Sequence, residues 1–178
     1  MAKFVLVYLP RGEIEKYHSN LVNVVSQKFG EKYLIENPRP SHITLKEPFF
    51  LDDIAPMEKF LETFVKKYKP SNVEINDFGG FNQFVIFLDT KFSEEGMKLQ
   101  KELLNELKIF KELEFGKFDL EWHPHLTVSY ANTPEIFEKI AEYLQELPTP
   151  KFSLKFDNIA LLEKVKNCWE VHKIFEVK

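Results

Sequence analysis

Glu121-Trp122-His123-Pro124-His125-Leu126-Thr127-Val128-Ser129-Tyr130 is the stretch on which the reading of the fold turns. From Leu126 on, branched or apolar residues alternate with polar ones, the period-2 pattern of a half-buried strand. Two of the chain's five histidines stand here two positions apart. Pro124 between them biases His123 towards extended backbone. Taken alone, the stretch supports two chemistries. His-x-His on one strand face could supply two metal ligands. Alternatively, His125 with Thr127 could be half of an acid–base site.

Working outward, the same pattern occurs 83 residues earlier, as His42-Ile43-Thr44-Leu45. Pro38-Arg39-Pro40 leads into it, and strict alternation from Ser41 to Glu47 predicts a strand stopped at Pro48. The flanking elements repeat too. Phe4–Leu9 and Phe84–Leu88 are apolar runs that read as buried strands. Ile14, Tyr17, Leu21, Val24, Val25 and Phe29 fall at helical spacing before Gly30, as do Leu99, Leu103, Leu104 and Leu107 after Ser93. Pro56–Tyr68 and Pro134–Leu147 read as the second helix of each half, the latter with Thr133 as N-cap. Val73–Phe78 is a strand expected to break at Gly79-Gly80. Its counterpart starts at Phe152 and is expected to continue to Leu162. Lys108–Leu120 reads as a loop or frayed helix end. A last strand runs from Trp169 to Val177, after a turn near Lys166-Asn167.

The offsets between halves are 80 for Val5 and Val85, 81 for Ile75–Phe78 on Phe156–Ile159, and 83 for the histidines. Such agreement across three elements is the signature of an internal duplication. The expected fold is a single α+β domain, 1–178, of two lobes related by a pseudo-twofold axis, about 1–81 and 82–178. Each lobe would be an antiparallel sheet with helices on its outer face, around a central cleft.

Residues i and i+2 of a strand share a face. His42 and Thr44 therefore point one way, and Ile43 and Leu45 the other; His125 and Thr127 repeat the arrangement from the opposite lobe. Here the chain resembles the two-histidine phosphoesterases, which include the 2′-5′ RNA ligase-like proteins and 2′,3′-cyclic phosphodiesterases. Pro40-Ser41-His42-Ile43-Thr44-Leu45-Lys46-Glu47-Pro48-Phe49 is similar to that family's first motif and His123–Val128 to its second. The resemblance implies a LigT-like fold and catalytic roles for His42, Thr44, His125 and Thr127. Two imidazoles flanking a phosphorus can remove a proton from the attacking oxygen and give one to the leaving oxygen near neutral pH. The threonine hydroxyls can donate to the non-bridging oxygens. This scheme calls for no metal and no cofactor. It fits hydrolysis of a 2′,3′-cyclic phosphate at an RNA end or on a small nucleotide. It fits equally a 2′-5′ oligonucleotide, a cyclic signalling nucleotide, or a protein that binds an RNA end without turnover. In the reverse direction a 5′-hydroxyl nucleophile gives a 2′-5′ linkage. His123 is left as a neighbour that orients the strand or touches substrate.

Three further residues are candidates for substrate binding. Lys46, on the Thr44 face by alternation, could place positive charge near the phosphate. Arg39 and Tyr130 flank the motifs. Many RNA ligase-like members carry an arginine in a Thr-Leu-Ala-Arg pattern after the second motif; Ser129-Tyr130 stands there instead. Phe49, Phe50, Phe81 and Trp122 are placed where a base could stack, although core packing is the default role for each. His18 reads as a helix-surface residue, and His172 as a strand residue of either face.

Composition narrows the partners. A net charge of −4 and a pI of about 5.8 exclude an extended grip on long nucleic acid. Cys168 is the one cysteine, so no internal disulfide can form and a reducing, cytoplasmic setting is expected. No apolar run is long enough to span a bilayer, and Met1–Leu9 is too short for a signal peptide. A monomer is expected, because the duplicated lobes already supply the cleft.

Overall fold

The computed structural model describes residues 1–178. β1 (Ala2–Tyr8) leads through Gly12 into α1 (Glu13–Phe29), which Gly30 ends in a left-handed cap at φ 76°. A single turn, α2 (Tyr33–Glu36), precedes β2 (Ile43–Leu51), α3 (Ala55–Phe64) and a 3₁₀ turn at Val65–Lys67. β3 (Ser71–Phe81) and β4 (Val85–Phe92) form a hairpin. α4 (Glu94–Leu107) is capped by the Ser93 hydroxyl, which accepts from the Gly96 amide. α5 (Lys117–Leu120) is a single turn before β5 (His125–Tyr130). α6 (Pro134–Gln145), capped by Thr133, leads to β6 (Phe152–Phe156), β7 (Asn158–Val165) and β8 (Cys168–Glu176).

The strands form two antiparallel four-stranded sheets, in the orders β2-β1-β7-β8 and β5-β4-β3-β6. Pseudo-symmetry holds, since β2-β1 corresponds to β5-β4. The third strand of each repeat, however, crosses to the other sheet: β3 pairs with β4, and β7 pairs with β1. Lobes drawn as 1–81 and 82–178 are therefore corrected. Each sheet draws strands from both halves. The crossing also breaks the strand expected to run from Phe152 to Leu162. β6 ends at Phe156 in one sheet, and β7 begins at Asn158 in the other. The buried Asn158 amide fixes the break, accepting from Leu9 N at 3.1 Å and donating to Leu9 O at 3.0 Å.

Two other expected strand ends fail for identifiable reasons. Pro48 does not stop β2, because β2 is an edge strand and a missing N–H there costs no ladder bond. Gly79-Gly80 does not break β3; it makes room for aromatic rings on both faces. A Cβ at Gly79 would lie 2.4 Å from the Phe87 ring, and one at Gly80 would lie 2.5 Å from the Phe137 ring.

The core is shared between the sheets. One cluster of 33 buried residues runs through both of them and through α1, α3, α4 and α6. A smaller cluster, Val5, Val7, Leu9, Ala160 and Leu162 with Trp169 against it, covers the opposite face of the first sheet, the face that carries Thr44. No helix is long and apolar enough to cross a membrane.

Candidate active site

β2 and β5 are edge strands of their sheets, and they bring the two His-x-Thr motifs together. Each motif contains a β-bulge at the same place. Leu6 pairs with Lys46 and Val7 with Thr44, so Leu45 is the extra residue; Phe87 pairs with Thr127 and Ile86 with Ser129, so Val128 is its counterpart. A bulge shifts the alternation by one. His42 and Thr44 keep the face expected of them, as do His125 and Thr127, but the residues directly beyond are turned over, until in β2 a second register shift before Phe49 restores the original alternation.

That shift corrects the reading of Lys46. Its side chain is 1% exposed, lies on the core side, and is paired with Asp119 of α5 at 2.7 Å. Asp119 also accepts from the Glu47 amide at 2.6 Å and the Gly116 amide at 3.0 Å. Lys46 thus ties the segment before the second motif to β2, and its ammonium is already engaged and desolvated, out of reach of substrate. The same shift acts oppositely on Tyr130. Plain alternation would place it with Leu126 and Val128; after the bulge it pairs with Val85 and returns to the Thr127 face.

The two histidines are held alike. His42 Nδ1 lies 2.8 Å from the Pro40 carbonyl, and His125 Nδ1 lies 2.8 Å from the His123 carbonyl. A carbonyl only accepts, so Nδ1 carries the proton in each neutral ring and Nε2, with no protein partner, keeps its lone pair. Burial pushes His42 down to about 4, against the hydrogen bond to Pro40; the positive charges of Arg39, His18 and His125 add to the fall. His125 is also lowered by burial, with its bond to His123 O and the carboxylate of Asp89 acting the other way. The two motifs themselves lie on β2 and β5, which contact each other.

His18, expected on a helix surface, is buried and central. Its Nδ1 lies 2.7 Å from Ser41 Oγ and its Nε2 lies 2.7 Å from the Thr127 carbonyl. Since the carbonyl can only accept, Nε2 is the protonated nitrogen and Ser41 donates to Nδ1. One imidazole thereby joins both motifs. Gln100 on α4 is its pseudo-symmetric counterpart, donating from Nε2 to the Leu45 carbonyl at 3.1 Å. Trp122 Nε1 donates to the Thr44 carbonyl at 2.8 Å. The free edges of both motif strands are thus satisfied by side chains from the other repeat. The signal for His18 lies in the helix period. It falls four residues after Ile14 and three before Leu21, on the buried stripe.

Phe81 and Phe87 stack on each other with centroids 4.4 Å apart and meet His125 at 5.1 and 5.0 Å. Of the aromatics considered for stacking, Phe81 therefore stands at the site. Phe49 is core, Phe50 is exposed, and Trp122 packs on Phe92 while bonding Thr44. His123 is exposed, 4.9 Å from Phe81 and 3.5 Å from Asp89. His123 and His125 belong to no group of three or more His, Cys, Asp or Glu side chains placed to hold a metal ion. His172 on β8 meets Glu58 at 2.8 Å, away from both motifs.

Beside the pair opens a cavity of about 210 Å³, bounded by α1, the α2–β2 segment and β5. His42, Thr127, Arg39 and Tyr130 are all in its wall. Two of the three candidate substrate-binding residues thus share this cavity with His42 and Thr127, and Lys46 does not.

The profile of the 2′-5′ RNA ligase superfamily matches residues 12–167. Among solved structures, TT0787 of Thermus thermophilus is similar at 19% identity and a TM-score of 0.64, over 99% of this chain and 98% of that one. E. coli LigT in its apo form has 16% identity and a TM-score of 0.58, with the same shares covered. LigT complexed with 3′-AMP has 14% identity and a TM-score of 0.54, again with those shares. No curated protein sequence matches the chain. At such identities the structures speak for the fold, and the profile, covering most of the chain and both His-x-Thr motifs, speaks for descent: the chain belongs to the 2′-5′ RNA ligase superfamily of two-histidine phosphoesterases.

Proposed function

We propose that the protein is a metal-independent phosphodiesterase that opens a 2′,3′-cyclic phosphate at an RNA end or on a small nucleotide. The observation that carries the reading is the matched pair of imidazoles, each with Nδ1–H tied to the carbonyl two residues upstream and Nε2 left for chemistry. His42 is the more strongly depressed and stays neutral, which suits the general base. His125, with Asp89 favouring its protonated form, suits the acid once the negative charge of a phosphodiester enters the site. In the hydrolytic step His42 Nε2 takes a proton from water as its oxygen bonds to phosphorus. The bond to one ribose oxygen breaks, and that oxygen receives the proton from His125 Nε2. The product is a phosphomonoester. The Thr44 and Thr127 hydroxyls donate to the non-bridging oxygens as charge develops. Arg39 and Tyr130 bind the rest of the substrate.

Support for a nucleotide comes from family membership and from the 3′-AMP complex of LigT. The acidic net charge of −4 favours a strand end or small nucleotide over a long duplex. The test is a substrate panel: a 2′,3′-cyclic mononucleotide, a short RNA with a cyclic end, and 2′-5′ oligoadenylate. Turnover of a cyclic phosphate, abolished by His42→Ala and by His125→Ala in folded protein and indifferent to EDTA, is the expected result. Cleavage of oligoadenylate alone would move the activity to 2′-5′ linkages. Binding without product in every case would make the protein a nucleotide-binding module. Full activity in either histidine variant would sink the mechanism.

A further inference from the structure

The cavity beside His42 is built for more than the scissile phosphate. Arg39 enters it anchored by its own strand approach. Nε donates to the Asn37 carbonyl at 3.2 Å, and the guanidinium carbon lies 5.3 Å from the Tyr33 ring centroid. Tyr33 in turn packs edge-on against Tyr130, with centroids 5.1 Å apart. Arg39 lines the cavity together with His42, Thr127 and Tyr130. The Arg39 Nη2 is shielded from solvent and has no hydrogen-bond partner in the protein. A buried guanidinium N–H without an acceptor is costly, and such groups are normally paired. Asn23 and Ser19, exposed residues of the α1 face that also carries His18, add neutral polar groups to the same wall. No carboxylate lines the cavity to compete for the arginine.

We infer that this cavity is a subsite for a second phosphoryl group, carried by the same substrate as the phosphorus held between His42 and His125. The inference rests on the proposed phosphodiesterase reading for its placement of the first phosphate. It narrows the substrate to one bearing a 5′-phosphoryl group on the terminal nucleoside, as an RNA end does and a simple cyclic mononucleotide does not. Arginine at such a site forms charge-assisted bonds to phosphate oxygens, each stronger than a neutral one. The guanidinium expected after the second motif is thus supplied from before the first, and serves a different phosphate.

The experiment compares kcat/KM for adenosine 2′,3′-cyclic phosphate with that for the same nucleotide carrying a 5′-phosphate, in wild type, Arg39→Gln and Arg39→Lys. The expected result is about a tenfold or greater preference for the 5′-phosphorylated substrate. Arg39→Gln brings that ratio close to one, and Arg39→Lys retains part of it. Turnover of both substrates at equal rates by wild type overturns the subsite while leaving the phosphodiesterase reading intact. Equal losses on both substrates in Arg39→Gln also overturn it, by assigning Arg39 to the scissile phosphate. If neither is turned over, calorimetry with adenosine 3′,5′-bisphosphate against adenosine 3′-monophosphate decides. Tighter binding of the bisphosphate, lost in Arg39→Gln, supports the subsite, and equal affinities overturn it.

Discussion

His42 and His125 are two copies of one residue set in different surroundings. Both have Nδ1 held by an upstream carbonyl, and both are lowered by burial. His42 additionally faces the positive charges of Arg39 and His18, whereas His125 faces both His123, which lowers it further, and Asp89, which acts the other way. For free enzyme the base must be neutral and the acid protonated, so kcat/KM should rise through about pH 4 as His42 loses its proton. It should fall again as His125 loses its own, below the ordinary histidine value of about 6.5. Rates measured from pH 3.5 to 8.5, roughly the span that brackets both limbs, check this; an optimum on the alkaline side of neutrality would contradict the assignment. At this scale the sequence was legible where a residue occurred twice. The doubled His-x-Thr picked out the two strands that the fold brings into contact. Lys46, which has no lysine counterpart in the second half, was misread, because no feature of Leu45 announces the bulge that turns it inward.

Between elements, the site is held by donors that reach across from the other repeat. His18 of α1 bonds the Thr127 carbonyl, and Gln100 of α4 bonds the Leu45 carbonyl. His18→Ala leaves that buried carbonyl and the Ser41 hydroxyl unmatched, a cost of about 1–3 kcal/mol in stability. The same change lets β5 shift against β2, so kcat should drop about tenfold, the loss of about 1.4 kcal/mol of transition-state stabilisation, with KM little altered. Since Gln serves at the equivalent position, His18→Gln should restore much of both. Thermal melts with steady-state kinetics report the two effects separately, and wild-type kcat in His18→Ala would remove His18 from the positioning of the site. Helix and strand identities were largely readable, because they rest on local periods: the α4 stripe of Leu99, Leu103, Leu104 and Leu107 is buried as expected. Strand ends were not. Pro48 and Gly79-Gly80 are locally breakers, but their meaning depends on an edge position and on the rings of Phe87 and Phe137, which belong to distant segments.

Across the whole molecule the duplication was visible in the offsets, and the exchange of third strands was not. A strand's sequence records which faces are buried, not whose edge it joins. The exchange makes the two halves interdependent, since β3 completes the sheet of β4 and β7 completes that of β1. Fragments 1–81 and 82–178 should each lack cooperative folding when expressed alone, as judged by thermal melting and amide dispersion. Co-expression should recover a complex with the mobility and activity of the intact chain. A stably folded fragment would contradict the shared core. The exchanged strands bear also on descent. One repeat on its own exposes the sheet edge that its partner's third strand would fill, and closes only by pairing with a copy of itself. The founding unit of such a chain is then a homodimer whose twofold axis generates two identical histidines at one centre. Fusion into a single polypeptide released that constraint, allowing one repeat to carry Arg39 where the other carries Trp122.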